Sequence, residues 1–336
     1  HRSVGRMTKK TARGMLVLLG CISLPALPPG IDAAEDAADV LIMREIGREY
    51  SRAVGGMISE LGDDFTPHVH TVNETSTSDS IAALMRTIRP SVVVLMDNHA
   101  IGLYKRYCEN APVDGPVVPS ISLMGVSIDK AIESLKNSSG ILYEIPLATA
   151  VMNLRTLTAT PLRRVGVVYR PVMESLVARN RKYCRRLDIE LVGVELPEKT
   201  IDLPFKLRTS LKHLLRKEKV DALWVLNDSR LLNPSLIEDV WEPAIEKYRV
   251  PSIVGVEVLA DPRIGMGTIA VLPDHLSLGM QAAQMVTEIL RSGDGSAYQR
   301  IIQPPLSVVK ILNLRHAREV MSLSRENLGT IDKVLK

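Results

Sequence analysis

Aromatic residues are scarce in this chain, at 4% of its 336 residues, with two Trp and two Phe. So few rings argue against a sugar site or a single-stranded nucleic-acid platform built from several stacked aromatic side chains. The formal net charge is only +4, and five basic residues precede the first acidic residue, Asp32. A mature chain beginning near Ala34 loses those five positive charges and one negative charge and becomes neutral. Neutrality gives no electrostatic reason to expect a nucleic-acid partner.

Enzyme motifs are missing as well. Neither half of the chain has a Gly-x-Gly-x-x-Gly loop after its first predicted strand, and Gly265-Met266-Gly267 lacks the third glycine and precedes a strand. The sequence contains no phosphate-binding Gly-x-x-x-x-Gly-Lys-Ser/Thr loop and no Gly-x-Ser-x-Gly nucleophile elbow. His68 and His70 alternate along a predicted strand, but no cysteine or carboxylate stands at metal-ligand spacing. We therefore expect no enzymatic activity, no cofactor and no bound metal.

Cysteine is limited to Cys21, Cys108 and Cys184, and the last two are predicted to lie on helices of different halves of the chain. Isolated thiols of this kind are more often small core residues than reactive groups. Beyond the N-terminal region, no segment is apolar over the length of about 20 residues that a membrane-spanning helix needs.

The N-terminal region has the order of an export signal. Basic residues at positions 9–13 precede an apolar stretch at 15–27, and small residues follow up to Ala34. We predict that residues 1–33 are upstream residues and a signal peptide, so that the mature protein is periplasmic or otherwise extracytoplasmic. The alternative is a lipoprotein, because Leu18-Leu19-Gly20-Cys21 resembles a lipobox in which Cys21 is lipidated after cleavage.

The most informative pattern in the sequence is an internal duplication. Residues 91–98 form an apolar run that ends in a polar pair, and residues 221–228 repeat this pattern. Each run is followed, after about one helix of chain, by the tetrapeptide Val-Pro-Ser-Ile, at 118–121 and at 250–253. The spacing is far longer than the roughly 20–50 residues of solenoid repeats. It predicts two copies of one α/β lobe, with a ligand-binding cleft between them.

The order of predicted elements agrees between the two halves. Strands without polar alternation, separated by amphipathic helices, indicate parallel sheets covered on both faces. Predicted strands lie at 39–43, 68–72, 92–96 and 117–123 in the first half, at 165–169, 190–196, 222–226 and 253–258 in the second, and at 269–272 and 308–312 beyond them. Predicted helices include 50–61, 100–108, 175–187, 207–217, 235–248 and 278–290.

Four stretches carry a family resemblance, at residues 164–171, 220–229, 271–283 and 310–314. On these stretches the chain resembles the periplasmic substrate-binding proteins of ABC transporters with the type I two-lobed fold. The subfamily with the best agreement is the one grouped with tryptophan- and tyrosine-binding proteins. The resemblance covers most of residues 160–320, whereas the first half agrees mainly in the order of its elements.

The resemblance implies an α/β fold with two similar Rossmann-like lobes, each with a parallel sheet, joined by a three-strand hinge. Lobe 1 would comprise residues 34–147 and 269–298, and lobe 2 residues 148–268 and 299–336. The chain would cross between lobes near 146–153, near 265–269 and near 301–308. The strand at 269–272 and the helix at 278–290 would thus return to lobe 1.

Candidate ligand-binding residues follow from one rule, that ligands of open parallel sheets bind beyond the carboxyl ends of the strands. They are Arg44, Glu45, Asp97, Asn98, Ser120, Ser122, Tyr169, Arg170, Ser175, Asn227, Asp228, Ser229, Glu257 and Asp274. If the lobes are related by a pseudo-twofold axis, the polar clusters at 97–98 and 227–229 face each other. Helix capping explains the same clusters equally well.

Two arginines, Arg44 and Arg170, each follow the first strand of a lobe. A guanidinium group suits a ligand carboxylate or phosphate. The alternative is an ordinary surface or ion-pair arginine.

The resemblance predicts an exported solute-binding protein that closes by hinge motion around a small polar ligand, amino acid or carboxylate-like, for an ABC importer. Its partners would be the ligand and the membrane permease, and the protein would act as a monomer without contacting nucleic acid. The alternative is a periplasmic ligand-sensing module that partners a membrane receptor or sensor kinase.

Overall fold

A computed structural model describes residues 37–110, 118–291 and 299–336. The predicted export signal and Cys21 lie outside the described residues. The strands, numbered in chain order, are β1 (Ala38–Arg44), β2 (Phe65–Thr71), β3 (Val92–Met96), β4 (Ser120–Leu123), β5 (Ser138–Ile141), β6 (Arg164–Tyr169), β7 (Glu190–Glu195), β8 (Ala222–Val225), β9 (Ser252–Val254), β10 (Ile269–Pro273), β11 (Ile302–Gln303), β12 (Val308–Asn313) and β13 (Lys333–Leu335).

The α-helices separate these strands. They are α1 (Arg48–Leu61), α2 (Ser78–Ile88), α3 (Asn98–Asn110), α4 (Ile128–Ala131), α5 (Leu147–Leu157), α6 (Glu174–Arg185), α7 (Leu203–Lys212), α8 (Pro234–Leu236), α9 (Glu242–Tyr248), α10 (His275–Arg291) and α11 (Leu314–Val320). Short 3₁₀ segments occupy Gly62–Asp64, Pro171–Met173, Glu257–Ala260 and Arg325–Thr330, and π segments occupy His213–Lys217 and Ile237–Trp241.

The strands form two sheets, as predicted. The first sheet has the order β11-β5-β4-β3-β1-β2, and all its pairs are parallel. The second has the order β13-β12-β10-β9-β8-β6-β7, and its one antiparallel pair among the described residues joins β10 to β12.

The duplication is visible in the topology. Strands β1 to β4 have the same neighbours in the first sheet as β6 to β9 have in the second. The two Val-Pro-Ser-Ile tetrapeptides lead into β4 and β9, which occupy equivalent positions. The repeated sequence therefore encodes a repeated lobe.

Each sheet is covered on both faces because the strand side chains alternate between two apolar layers. In β1, Val40 and Ile42 pack into one hydrophobic cluster, whereas Leu41 and Met43 pack into another on the opposite face. The second sheet lies between two further clusters of the same kind. Buried on both faces, the sheets leave only their strand ends available for polar chemistry.

The structure differs from the prediction at residues 269–272. Strand β10 pairs with β9 and β12, so it stays in the second sheet and does not return to lobe 1. Buried hydrogen bonds explain this placement: the Thr268 hydroxyl accepts from the Ser252 backbone N–H at 2.9 Å, and the Thr268 N–H donates to the Ser252 hydroxyl at 3.2 Å. The chain returns to the first lobe only after Pro273, where α10 packs on α1.

Residues 302–303 also differ from their predicted place in lobe 2. They form β11, which pairs with β5 at the edge of the first sheet. The Gly140 N–H donates to the Ile301 carbonyl at 2.9 Å, and the Leu142 N–H donates to the Gln303 carbonyl at 2.8 Å. The last change of sheet therefore falls between β11 and β12.

Helices α1 and α10 approach so closely that two glycines are required where they cross. A Cβ at Gly279 would lie 2.9 Å from the Met57 backbone nitrogen and would clash with the Ala53 carbonyl. A Cβ at Gly56 would clash with the Leu276 carbonyl. These neighbours are backbone atoms, so they cannot move aside as a flexible side chain would.

Gly279→Ala should lower the free energy of unfolding by about 2–3 kcal/mol, because overpacking must push the two helices apart. The control is Gly55→Ala on the exposed face of α1, where a Cβ meets nothing within 4 Å. That change should raise stability by about 0.5–1 kcal/mol, since alanine restricts the unfolded chain. Urea denaturation of both variants measures the difference, and equal effects would contradict the close contact.

Candidate functional site

A small cavity lies between the two lobes, beyond the carboxyl ends of their strands. Its volume is about 40 Å³, and one water molecule needs about 10–15 Å³ in the same measure. The cavity therefore has room for a few water molecules and none for a larger ligand in this arrangement of the lobes. The lining residues are Val126, Tyr143, Glu144, Ile145, Ala150, Met173, Leu176, Trp224, Val225, Leu226, Asn227, Ile253, Val254, Gly255 and Val271.

Most of the cavity wall is apolar. Trp224 on β8, Met173 and Leu176 come from the second lobe, and Tyr143 comes from the loop after β5. Trp224 belongs to the apolar run that predicted a buried strand, and it is 7% exposed. A wall of this kind suits the apolar body of a small ligand.

Two polar side chains in the cavity wall each leave one buried oxygen unsatisfied. One oxygen of Glu144, Oε1, accepts from the Ser127 backbone N–H at 2.7 Å, and Asn227 Nδ2 donates to the Gly255 carbonyl at 3.3 Å. The other oxygens, Glu144 Oε2 and Asn227 Oδ1, are buried without a hydrogen-bond partner in the described chain. Burial raises the pKa of Glu144, and the Ser127 N–H opposes this shift.

Asn227 is the single predicted site residue, of those that the structure describes, that lines this cavity. Glu144, Tyr143 and Trp224 were not predicted. The strand-end rule could have found Tyr143 and Glu144, which follow β5, had that strand been recognised.

The predicted residues at the ends of β1 and β3 gather in one polar cluster. The Asp97 carboxylate caps α3, because its Oδ1 accepts from the Ala100 N–H at 2.8 Å. Glu45 lies 3.1 Å from the His99 ring, measured from Oε1 to Nδ1. Burial raises the pKa of Asp97, whose Oδ2 has no hydrogen-bond partner among the described residues. Burial, and then the nearby Asp97 charge, raise the pKa of Tyr50.

Arg44 is partly engaged by its own neighbourhood. Its Nη1 donates to the Glu45 carbonyl at 3.2 Å and to the Ser51 hydroxyl at 3.4 Å. Its Nε is buried and makes no hydrogen bond within the described part of the chain.

Three further predicted residues of the first lobe have local partners or lie inside the sheet. Asn98 bonds both backbone groups of Val126, with Nδ2 donating at 2.9 Å and Oδ1 accepting at 2.7 Å. This pair of bonds fixes the loop that carries Val126 into the cavity wall. Ser120 donates to the Ser138 hydroxyl at 3.0 Å inside the sheet. Ser122 is fully buried in β4.

The structure brings two of the predicted residues, Arg170 and Asp228, together, and their side chains bind each other. Arg170 binds the Asp228 carboxylate through two hydrogen bonds, of 2.7 and 2.8 Å, and reaches Glu198 at 2.7 Å. The Asp228 side chain is 1% exposed. A ligand carboxylate would have to displace a buried, bidentate partner to bind this arginine.

The other predicted residues of the second lobe lie around this pair and at the lobe margin. Tyr169 ends β6 and is buried, Ser175 lies in the first turn of α6, and Ser229 is exposed. Glu257 pairs with Lys333. Asp274 lies 3.6 Å from Arg52 and accepts from the Ser277 hydroxyl at 2.8 Å at the start of α10.

Contacts between the lobes border the cavity. Arg179 on α6 binds Asp129 on α4 at 2.8 Å, with each side chain about a quarter exposed. The Leu147 N–H donates to the Asn180 side chain at 2.7 Å where the chain passes between the sheets. The ion pair is partly exposed to water, whereas the Asn180 contact at the crossing is buried.

No protein-family model and no curated protein sequence matches the chain. Solved structures do match. A substrate-binding protein with adhesive properties from Clostridium difficile, in its ligand-free open form, aligns at 15% identity over 89% of this chain and 99% of its own, with a TM-score of 0.63. The ABC domain from Streptococcus pneumoniae in complex with L-Trp aligns at 15% identity over 88% and 100%, with a TM-score of 0.53.

A third structure, an ABC transporter substrate-binding protein from Desulfitobacterium hafniense, aligns at 11% identity over 76% of this chain and 84% of its own, with a TM-score of 0.50. The chain has the type I periplasmic binding protein fold. The predicted fold class is therefore confirmed.

None of the helices that the structure describes is long and apolar enough to cross a membrane. Within residues 37–110, 118–291 and 299–336, no group of three or more His, Cys, Asp or Glu side chains is arranged to hold a metal ion. Cys108 and Cys184 are free thiols, and burial raises the pKa of Cys184 to about 11. A thiol with so high a pKa is a poor nucleophile at neutral pH.

Asp228→Ala should lower the free energy of unfolding by about 3 kcal/mol, because it leaves the Arg170 charge poorly compensated. The matched control is Ser229→Ala, one residue along on the exposed surface, which should change stability by less than about 0.5 kcal/mol. Equilibrium denaturation of both variants measures the effect. An Asp228→Ala protein as stable as the parent would show that the pair contributes little.

Stability should fall as the solution is acidified, partly through His275. Its Nε2 lies 2.9 Å from the Tyr143 hydroxyl, and Glu49, Arg52 and Asp274 are the charged groups that face it. Burial lowers the pKa of His275, so the unfolded chain binds more protons below about pH 6.5 and the folded state loses stability there.

His275→Gln should reduce the slope of unfolding free energy against pH between about 7 and 5, without abolishing it. His316, whose pKa burial also lowers, supplies part of the slope that remains. Denaturation curves measured across this range check the change, and an unaltered slope would exclude a contribution from His275.

Proposed function

We propose that this chain is an exported solute-binding protein that captures a small polar ligand between its lobes for an ABC importer. The observation that carries the proposal is the cavity between the strand ends of two equivalent lobes, which contains unsatisfied polar atoms. The fold is shared with a substrate-binding protein from Clostridium difficile and with a Streptococcus pneumoniae ABC domain solved with L-Trp.

Capture would work through opening and closing of the two lobes. At about 40 Å³ the cavity is too small for an amino acid, so the ligand binds when the Asp129–Arg179 ion pair is broken and the lobes are apart. Closure then buries it between the Trp224 wall and the polar groups of Glu144 and Asn227. A wrong ligand leaves those groups unpaired and loses affinity. The chain itself performs no chemistry.

The ligand class we propose is an amino acid or a related carboxylate-like solute, with amino acids preferred. The apolar wall accommodates a side chain, and the acceptor oxygens of Glu144 and Asn227 accommodate hydrogen-bond donors. Two candidate cations, Arg170 and Arg179, are engaged by Asp228 and Asp129, respectively. A simple carboxylate would have to compete with both.

We further propose that the N-terminal signal directs export, that the protein acts as a monomer, and that closed, loaded protein docks on a membrane permease. The predicted basic, apolar and small-residue order at residues 9–34 supports export. Stimulation of ATP hydrolysis by the reconstituted importer, only when ligand and protein are both present, would test the permease partnership.

A thermal-shift screen against amino acids, small carboxylates, nucleosides and sugars tests solute capture. A ligand at a hundredfold excess over its Kd stabilises the folded state by about 2.7 kcal/mol, which should raise the melting temperature by a few degrees. Trp224→Phe should weaken the response, and Ile201→Ala, at a site that is 90% exposed, should not. A flat response across the whole panel would count against the proposal.

A further inference from the structure

The unsatisfied atoms of the cavity wall share one property. Among the described residues that line it, the buried side-chain atoms without a hydrogen-bond partner are Glu144 Oε2 and Asn227 Oδ1. Both are acceptors, and neither can donate when Glu144 is ionised. With Glu144 ionised, the group that completes this site must therefore bring donors.

The orientation of the Asn227 amide is set by its surroundings. Its Nδ2 donates to the Gly255 carbonyl at 3.3 Å, which leaves Oδ1 as the free atom. A Cβ at position 255 would lie 2.7 Å from Nδ2 and 2.8 Å from Oδ1. Glycine at this position is what allows the amide to lie against the end of β9 with its oxygen unpaired.

The charge of Glu144 is only partly compensated within the described chain. The Arg179 charge lowers the pKa of Glu144, but Arg179 is engaged by Asp129 at 2.8 Å, and the Asp129 carboxylate raises that pKa. Burial of a carboxylate without a cationic partner is costly, and burial raises its pKa. A positively charged ligand group would compensate this charge directly.

We infer that Glu144 and Asn227 recognise the ammonium group of the ligand, so that the site selects amine-bearing solutes with an apolar body. This inference rests on the proposed function and narrows it: the ammonium group is the determinant, and the ligand carboxylate is secondary. The chemical class is primary amines, with or without a carboxylate, attached to an aliphatic or aromatic side chain that packs on Trp224, Met173 and Leu176.

Two matched ligand series test the inference on the unmodified protein. The aromatic series is phenylalanine, phenethylamine and 3-phenylpropionate, and the aliphatic series is leucine, isoamylamine and 4-methylpentanoate. Within each series the apolar body stays nearly constant while the ammonium or the carboxylate is removed. We expect the amino acid and the amine to bind in at least one series, and the acid to bind at least about tenfold more weakly, as loss of a charged hydrogen bond implies.

Glu144→Gln should weaken binding of the amine-bearing ligands by at least about tenfold, since it keeps the shape of the side chain but removes its charge. The matched control is Glu174→Gln. Glu174 also has a buried oxygen, Oε2, without a partner in the described chain, but it does not line the cavity. Asn227→Ala, which removes the second acceptor, provides an independent variant if Glu144→Gln fails to fold. Isothermal titration gives each Kd.

The outcomes separate the inference from the proposed function. Acids that bind as tightly as the amino acids, or a Glu144→Gln protein with unchanged affinity for amines, would overturn the inference while leaving solute capture intact. Tightest binding by a solute of the wider panel that lacks an ammonium group would do the same. If no solute of any class binds, the proposed function fails as well.

Discussion

A parallel sheet buried on both faces constrains everything else in this protein. Strands such as β3 have only buried side chains, so polar groups can be displayed only where the chain leaves the sheet. Both lobes obey this constraint, and their strand ends meet at one cavity. The strands themselves supply the apolar wall of the cavity, and the residues after them supply its polar groups. Trp224 in the core and Asn227 in the polar part of the site therefore lie only three residues apart in the chain.

Most polar side chains at the strand ends serve the fold itself. Asp97 caps α3, Asn98 holds the loop at Val126, and Asp228 binds Arg170. The sequence left capping and ligand binding as two interpretations of these clusters. In the structure, local partners take up most of their hydrogen-bonding capacity, which favours the structural role. What distinguishes Glu144 and Asn227 is that each lines the cavity between the lobes and has an oxygen that the fold buries and does not use.

The sequence predicted the duplicated lobes well because apolar runs and a repeated tetrapeptide are local patterns. It failed where partners are distant or signals are short. Strand β5, with the sequence Ser-Ser-Gly-Ile, has no apolar run, so Glu144 beyond it was missed. The family resemblance placed strand β10 in lobe 1. The pattern of a strand does not identify its neighbours, and contacts such as that of Thr268 with Ser252 fix β10 in the second sheet. The sequence left open whether Arg170 binds a ligand or forms an ion pair, because its partner Asp228 lies 58 residues away along the chain.

The helix crossing at Gly56 and Gly279 has a consequence for the order of folding. One apolar layer of the first sheet is built partly from α10, including Leu278, Ala282 and Val286, which follows the β9 and β10 strands in the chain. A chain that emerges from its N-terminus onward cannot complete the first lobe until α10 is available. The second lobe's central strands are by then already present, while its β12 and β13 follow α10, so neither lobe is complete before the C-terminal part of the chain, and β1 and β3 remain incompletely covered in the interval.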